Sequence, residues 1–191
     1  MEKGKVNIKK LIVIGGSAGS LEVLLRVLPG LKVPFPYPVV IVLHRKQSND
    51  NLLTELLSLK TKIKVKEIED KDALVNGIIY LAPGNYHILF EEDYTFSLDD
   101  SERVNYSRPS IDVAFQSAAD VFGGALTCIL LSGANADGAD GFLYVKERGG
   151  ETIVQAPETA EVAYMPEQVI ANKSADKICD IDGIANWLNR M

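Results

Sequence analysis

The sequence predicts an α/β protein: a three-layer α/β/α sandwich on a mostly parallel, doubly wound, Rossmann-like sheet, with an edge β-hairpin. Three observations carry this. Apolar, β-branched runs alternate with amphipathic segments along the chain. The runs at residues 11–16, 39–44 and 126–133 are almost continuously apolar, the pattern of strands buried on both faces and so of a parallel sheet covered by helices. Two further runs, 87–92 and 94–99, alternate with polar residues around a turn near Asp93, which reads as an antiparallel hairpin at an edge.

Strands are expected at residues 11–16, 39–44, 63–69, 78–82, 126–133 and 152–155. After the first, Leu21, Leu24, Leu25 and Leu28 recur at i, i+3, i+4 and i+7, one face of a helix. Lys60, Lys62, Lys64 and Lys66 alternate with Ile63 and Val65, the wet face of a strand. Ile111, Ala114, Phe115, Ala118, Ala119 and Phe122 form a second helical stripe, opened by Pro109 and Ser110. Gly149 and Gly150 stop the helix that follows Asp137. Ile184, Ala185, Trp187, Leu188 and Met191 make a closing helix behind Asp182. There is no internal repeat and no Pro/Gly/Ser linker, so residues 1–191 are expected to form one domain.

A net charge of −6 offers no overall basic balance for phosphates, so nucleic acid is not an expected partner. The two cysteines, Cys128 and Cys179, fit neither a metal spacing nor a disulfide framework. The basic N-terminus MEKGKVNIKK lacks a signal-peptide apolar region, and no apolar run is long enough to span a membrane. The expected location is the cytoplasm, without membrane insertion.

In an open parallel sheet, ligands bind beyond the carboxyl ends of the strands. Three such ends carry a serine, a histidine and an aspartate: Ser17 in GGSAGS, His44 closing VVIVLH, and Asp137 in SGANADG. These are the parts of a Ser-His-Asp triad. A serine hydroxyl needs an imidazole to take its proton, and the imidazole needs an acid on its other nitrogen. Gly15 to Gly19 also fits G-x-S-x-G, whose small residues permit a turn that exposes the hydroxyl. Taken singly, each residue would pass for a turn residue, a strand end or a helix cap. A dinucleotide fingerprint is absent, because the glycines fall at 15, 16 and 19. A phosphate loop and a complete calcium loop are absent too. An ordinary α/β-hydrolase would place its acid before its histidine, whereas Asp137 follows His44.

The segments GGSAGSLEVL, VVIVLH, IIYLAPGNYH, NYSRPSIDVAFQSAA and ILLSGANADGADG, with Tyr-Met-Pro at 164–166, occur in this order. Together they resemble the catalytic domains of the chemotaxis protein-glutamate methylesterases, over roughly residues 11–179. The blocks LAPG..H, RPS.DV and SG...DG are far more specific than G-x-S-x-G. The resemblance implies Ser17 as nucleophile, His44 as base and Asp137 as orienting acid. It implies Ala18, Ala134 and Gly16 around the oxyanion site, with backbone N–H groups as donors. It implies hydrolysis of glutamyl methyl esters on the cytoplasmic helices of chemoreceptors, and deamidation of glutamines there, with neither reaction implying a metal or an organic cofactor. Three departures touch this region: Ala18 where the family has Thr, Arg45 and Lys46 where it has Met-Pro, and Ala134 and Asn135 in its late glycine loop.

Only about ten residues precede the first strand, so no receiver domain is expected in this chain, and a separate regulatory receiver protein is a candidate partner. The cleft is therefore expected to be open and broad, with Arg45, Lys46 and Arg108 favouring acidic receptor surfaces. Two alternatives stand beside the methylesterase: a catalytically weak binding module of the same fold, and a serine hydrolase for another ester or amide.

Overall fold

The structure, a computed structural model, describes residues 8–46 and 51–191; most of the basic N-terminus discussed above lies outside them. In chain order the elements are β1 (Leu11–Gly16), α1 (Ser20–Val27), β2 (Val39–Leu43), α2 (Leu52–Lys60), β3 (Lys64–Glu67) and β4 (Ile78–Leu81). Then come β5 (His87–Phe90), β6 (Phe96–Asp99), α3 (Ile111–Phe122), β7 (Leu126–Leu130) and α4 (Ala139–Glu147). The chain closes with β8 (Glu151–Gln155), α5 (Tyr164–Ala171), β9 (Lys177–Cys179) and α6 (Ile181–Arg190).

Seven strands form one sheet in the order β3-β4-β2-β1-β7-β8-β9, and every pairing in it is parallel. This is the doubly wound α/β sandwich that the apolar runs predict. Strands β1, β2 and β7 are buried at every position, which is why they read as unbroken apolar runs. One face of the sheet carries Val23, Leu24, Leu57, Ile184 and Leu188 from α1, α2 and α6; the other carries Phe115, Phe142 and Val169 from α3, α4 and α5. Winding reverses between β1 and β7, the position where such sheets open a ligand crevice.

The hairpin corrects the expectation. Strands β5 and β6 pair antiparallel, His87 facing Asp99 and Phe90 facing Phe96, but form a separate two-stranded sheet rather than an edge of the main one. The hairpin lies over α3, where Phe90 meets Phe122 edge-on, and Phe96 packs on Tyr80. Its alternation therefore reports one apolar face turned onto a helix. Helix α6 begins behind Asp180, whose carboxylate accepts from Gly183 N–H, two residues before the expected boundary at Asp182.

Two glycines set where α3 meets the sheet and how β7 leaves it. A Cβ on Gly15 would lie 2.5 Å from Ile111 Cγ2, so only glycine lets the first turn of α3 seat against the end of β1. A Cβ on Gly133 would lie 2.5 Å from Met165 Cε and 3.1 Å from Ser17 Cβ. The loop after β7 thus passes directly beside Ser17. Met165, from the Tyr-Met-Pro segment, is buried under that loop, with its N–H on Gly133 C=O.

Candidate active site

Ser17 leaves β1 in a turn fixed by two backbone bonds: its N–H donates to Ser132 C=O, and its own C=O accepts from Ser20 N–H. Ser132 is fully buried and knits three loops together. Its N–H donates to Gln155 Oε1, its hydroxyl donates to Ala18 C=O, and that oxygen accepts from Val162 N–H. His44 sits one residue past β2, its N–H on Gly16 C=O. The carboxyl ends of β1 and β2 therefore bring Ser17 and His44 alongside each other, as neighbouring strands in register must.

Asp137 arrives from the loop after β7 and is wholly buried. Its Oδ2 lies 2.6 Å from His44 Nε2 and accepts from Ile111 N–H at 2.7 Å. Its Oδ1 accepts from the Ser110 hydroxyl at 2.8 Å and from Asp112 N–H at 3.0 Å. The carboxylate is thus seated on the N-terminus of α3, where unpaired N–H groups and the helix dipole favour a negative charge. Burial alone would raise its pKa, but His44 and the N–H groups of Asp112 and Ile111 hold it below the ordinary carboxylate value. An aspartate kept ionised there fixes the His44 tautomer and favours a developing imidazolium. No hydrogen bond joins the Ser17 hydroxyl to the imidazole, and His44 Nδ1 has no recorded partner among the described residues. Such contacts are often loose before a substrate is seated.

Among the described residues the N–H groups of Ala18 and Ala134 have no hydrogen-bond acceptor, and both residues are exposed. Gly16 is buried, its carbonyl taken by His44 N–H. The three expected site-lining residues thus divide into two with free backbone donors and one that supports the histidine.

Three residues escaped the sequence reading. His87 is buried, with Nδ1 accepting from Ser110 N–H at 3.1 Å and Nε2 2.9 Å from Glu102 C=O. It therefore carries its proton on Nε2 and stands one residue from the Asp137 seat. Asp112, also buried, accepts from Gly138 and Gly141 N–H through Oδ1, and from Asn105 Nδ2 through Oδ2. Burial pushes its carboxyl up to about 7; the Gly141 N–H opposes this, and the charges of Asp137 and Asp140 add to it. The third is Ser132. The blocks RPS.DV, LAPG..H and SG...DG contain all three, but spacing alone did not show that His87 and Asp112 meet around the Asp137 seat while Ser132 holds the Ser17 turn.

Beside His44 opens a cavity of about 480 Å³ whose lining includes Arg45, Lys46, Arg103, Tyr106 and Arg108. Two of these cations are already committed. Arg45 pairs with Glu67, and Arg108 donates to Asn85 Oδ1 and to the carbonyls of Asp100 and Ser101. Among the described residues no cluster of side chains could hold a metal ion, and no helix is long and apolar enough to cross a membrane.

Comparison with known proteins gives this arrangement a context. A family model described as CheB methylesterase matches residues 12–188. The chain is 44% identical over 180 residues to a protein of Leptospira interrogans serovar copenhageni provisionally named protein-glutamate methylesterase/protein-glutamine glutaminase, covering 94% of this chain and 93% of that one. It is 33% identical over 172 residues to the Thermotoga maritima protein-glutamate methylesterase/protein-glutamine glutaminase, covering 88% of this chain and 50% of that longer one. The crystal structure of the Thermotoga maritima CheB methylesterase catalytic domain superposes with a TM-score of 0.92 at 32% identity, over 96% of this chain and 99% of that one. The fold, the length of the match and these relatives agree: the chain belongs to the CheB methylesterase family of chemotaxis enzymes.

Proposed function

We propose that the chain is a serine hydrolase that removes methyl esters from glutamyl side chains of chemoreceptors and deamidates glutamines there, with Ser17, His44 and Asp137 as its triad. The observation that carries this is the 2.6 Å contact between His44 and a fully buried, four-fold hydrogen-bonded Asp137, beside the Ser17 turn. Ser17 Oγ attacks the ester carbonyl carbon as its proton passes to His44 Nδ1. Asp137 stabilises the imidazolium through Nε2–H. The Ala18 and Ala134 N–H groups face the oxyanion. The C–O bond to the methoxy group then breaks, and His44 returns the proton so that methanol leaves. Water repeats the sequence on the acyl-serine, giving a glutamate carboxylate and free Ser17. For a glutamine the first leaving group is ammonia. No step calls for a metal or an organic cofactor.

We read residues 11–179 as the core of one catalytic domain, acting in the cytoplasm, where the receptor helices lie. The missing Ser17–His44 hydrogen bond is the one observation that favours a catalytically weak binding module. A fluorophosphonate probe separates the two: it labels Ser17 in the enzyme and leaves a Ser17→Ala chain unlabelled. Methanol release from methylated receptor then tests the substrate; labelling without methanol release would point to another ester or amide.

A further inference from the structure

Among the described residues, the cavity beside His44 is lined by four cations, Arg45, Lys46, Arg103 and Arg108, and by no carboxylate, in a chain whose net charge is −6. Arg45 and Arg108 are spent on the protein itself. Lys46 and Arg103 are exposed and form no recorded ion pair among the described residues. Two uncommitted cations thus face a concave space next to the imidazole, in an acidic protein whose surface would otherwise repel anions.

The lip of this cavity is built at a conformational cost. Val104 and Ser107 exchange backbone hydrogen bonds, and the two residues between them, Asn105 and Tyr106, have φ of 50° and 61°. This is the geometry of a type I′ turn, whose second central position favours glycine. The chain places a tyrosine there that is 96% exposed. A bulky left-handed residue is strained, and at this exposure the ring has little folding contact to offset the strain. The turn is also held in place. Asn105 Nδ2 donates to Asp112 at 2.8 Å, and Asp112 in turn binds the N–H groups at the start of α4, directly after Asp137. The lip and the acid that orients His44 are therefore tied to the same carboxylate.

We propose that Arg103, Lys46 and Tyr106 form a recognition site for a free carboxylate that the polypeptide substrate carries beside its reacting ester. Arg103 and Lys46 hold the carboxylate, and Tyr106 covers the segment that bears it. The proposal rests on the reading of Ser17 and His44 as the reacting groups, which places the ester next to this cavity. It assigns Arg103, on which the sequence reading was silent, and relieves Arg45 and Arg108 of the role that reading gave them.

The test uses two fluorescent helical peptides, each with one glutamyl methyl ester, flanked at ±4 either by glutamates or by glutamines. Binding is measured by anisotropy to the whole chain carrying Ser17→Ala, so that no turnover intrudes. The acidic peptide should bind about tenfold more tightly at low salt, and this preference should shrink toward unity at about 0.5 M salt. In the Arg103→Gln/Lys46→Gln chain it should fall below about twofold, while Tyr106→Ala should weaken both peptides. The two single variants and the salt titration of the parent carry the test if the double variant does not fold. Equal affinity for the two peptides, a preference that survives loss of both cations, or no binding of either peptide would each overturn the proposal. Fluorophosphonate labelling is run in parallel on the chain with Ser17 intact. A charge preference without labelling would sink the esterase reading and leave the carboxylate site standing.

Discussion

Asp112 and Asp137 cap each other's helices. Asp137, on the approach to α4, accepts from the N–H groups of Ile111 and Asp112 at the start of α3. Asp112, in the first turn of α3, accepts from the N–H groups of Gly138 and Gly141 at the start of α4. The two helix starts are thus crossed, and the two carboxylates have different fates: one is held below the ordinary range, the other pushed up to about 7. Only the first touches His44.

Asp137→Asn keeps one acceptor oxygen but sets an amide N–H₂ against His44 or the α3 donors. Methanol release should fall by roughly 10³–10⁴, the scale seen when a triad acid becomes an amide. A loss below tenfold would show that Asp137 does not orient the base.

Asp112→Asn should change the pH dependence of stability. The Asp112 pKa of about 7 lies above its unfolded value of about 3.9, so the folded protein holds the extra proton, and this residue makes stability fall as pH rises from about 4 to 7. Asparagine still accepts from Gly138 and Gly141 N–H and carries no charge. Urea unfolding should therefore show the variant gaining about 1–3 kcal/mol on the parent between pH 5 and pH 8. An unchanged difference across that window would refute the burial-raised carboxyl.

Asp137 works in the opposite sense. Its lowered pKa means that its contribution is present above the unfolded carboxylate range and is lost as pH falls through its folded value. Asp137→Asn should therefore flatten acid unfolding on the low-pH side, below about pH 4, and, by removing one of the charges that raise the Asp112 carboxyl, reduce the pH 5–8 slope without abolishing it. Circular dichroism titrations of the two single variants separate these windows.

His87→Phe fills most of the ring volume but strands the Ser110 N–H and the Glu102 carbonyl. Ser110 is buried, and a buried unpaired donor costs about 1–3 kcal/mol, whereas Glu102 is exposed and its carbonyl can turn to water, so chemical denaturation should show a loss of that order. Because Ser110 also binds Asp137, kcat should drop as well, whereas a remote core defect would lower stability alone.

Gly133→Ala puts a methyl against the flexible end of Met165 and against Ser17 Cβ. The first contact yields easily; the second displaces the proposed nucleophile. The 3.1 Å contact asks Ser17 to give by a few tenths of an ångström, which should cost less than the roughly hundredfold of a 1 Å misplacement but still be visible in the rate. Activity should fall far more than the melting temperature, and adding Met165→Ala should recover stability without recovering rate.

The parts of this protein legible in its sequence are those whose burial is complete. β1, β2 and β7 are buried on both faces, so their apolar runs marked the sheet, and the polar residues at their ends marked the crevice. Helix α2 went unread because Leu57 is its only buried residue, while Leu52 and Leu59 are exposed. Strand β9 is three residues at an edge, too short to show a period. The hairpin was legible as a hairpin but not in its placement, since alternation reports a half-buried face and not what covers it. His87 and Asp112 act through donors 23 to 29 residues away, a proximity created by the packing of α3 against the sheet ends that no local pattern encodes.

The insertion of β7 beside β1 has a consequence for how activity arises as the chain is made. The proposed nucleophile and base both lie within the first 44 residues, just past the ends of the neighbouring strands β1 and β2, while the proposed acid waits at residue 137 in the loop after β7, which joins β1 from the other side. An emerging chain therefore holds Ser17 and His44 for the synthesis of some ninety residues before Asp137 exists to orient the base. The join between the two halves of the sheet is the β1–β7 ladder. Hydrolysis by this fold is thus a report that the two halves of the sheet have joined.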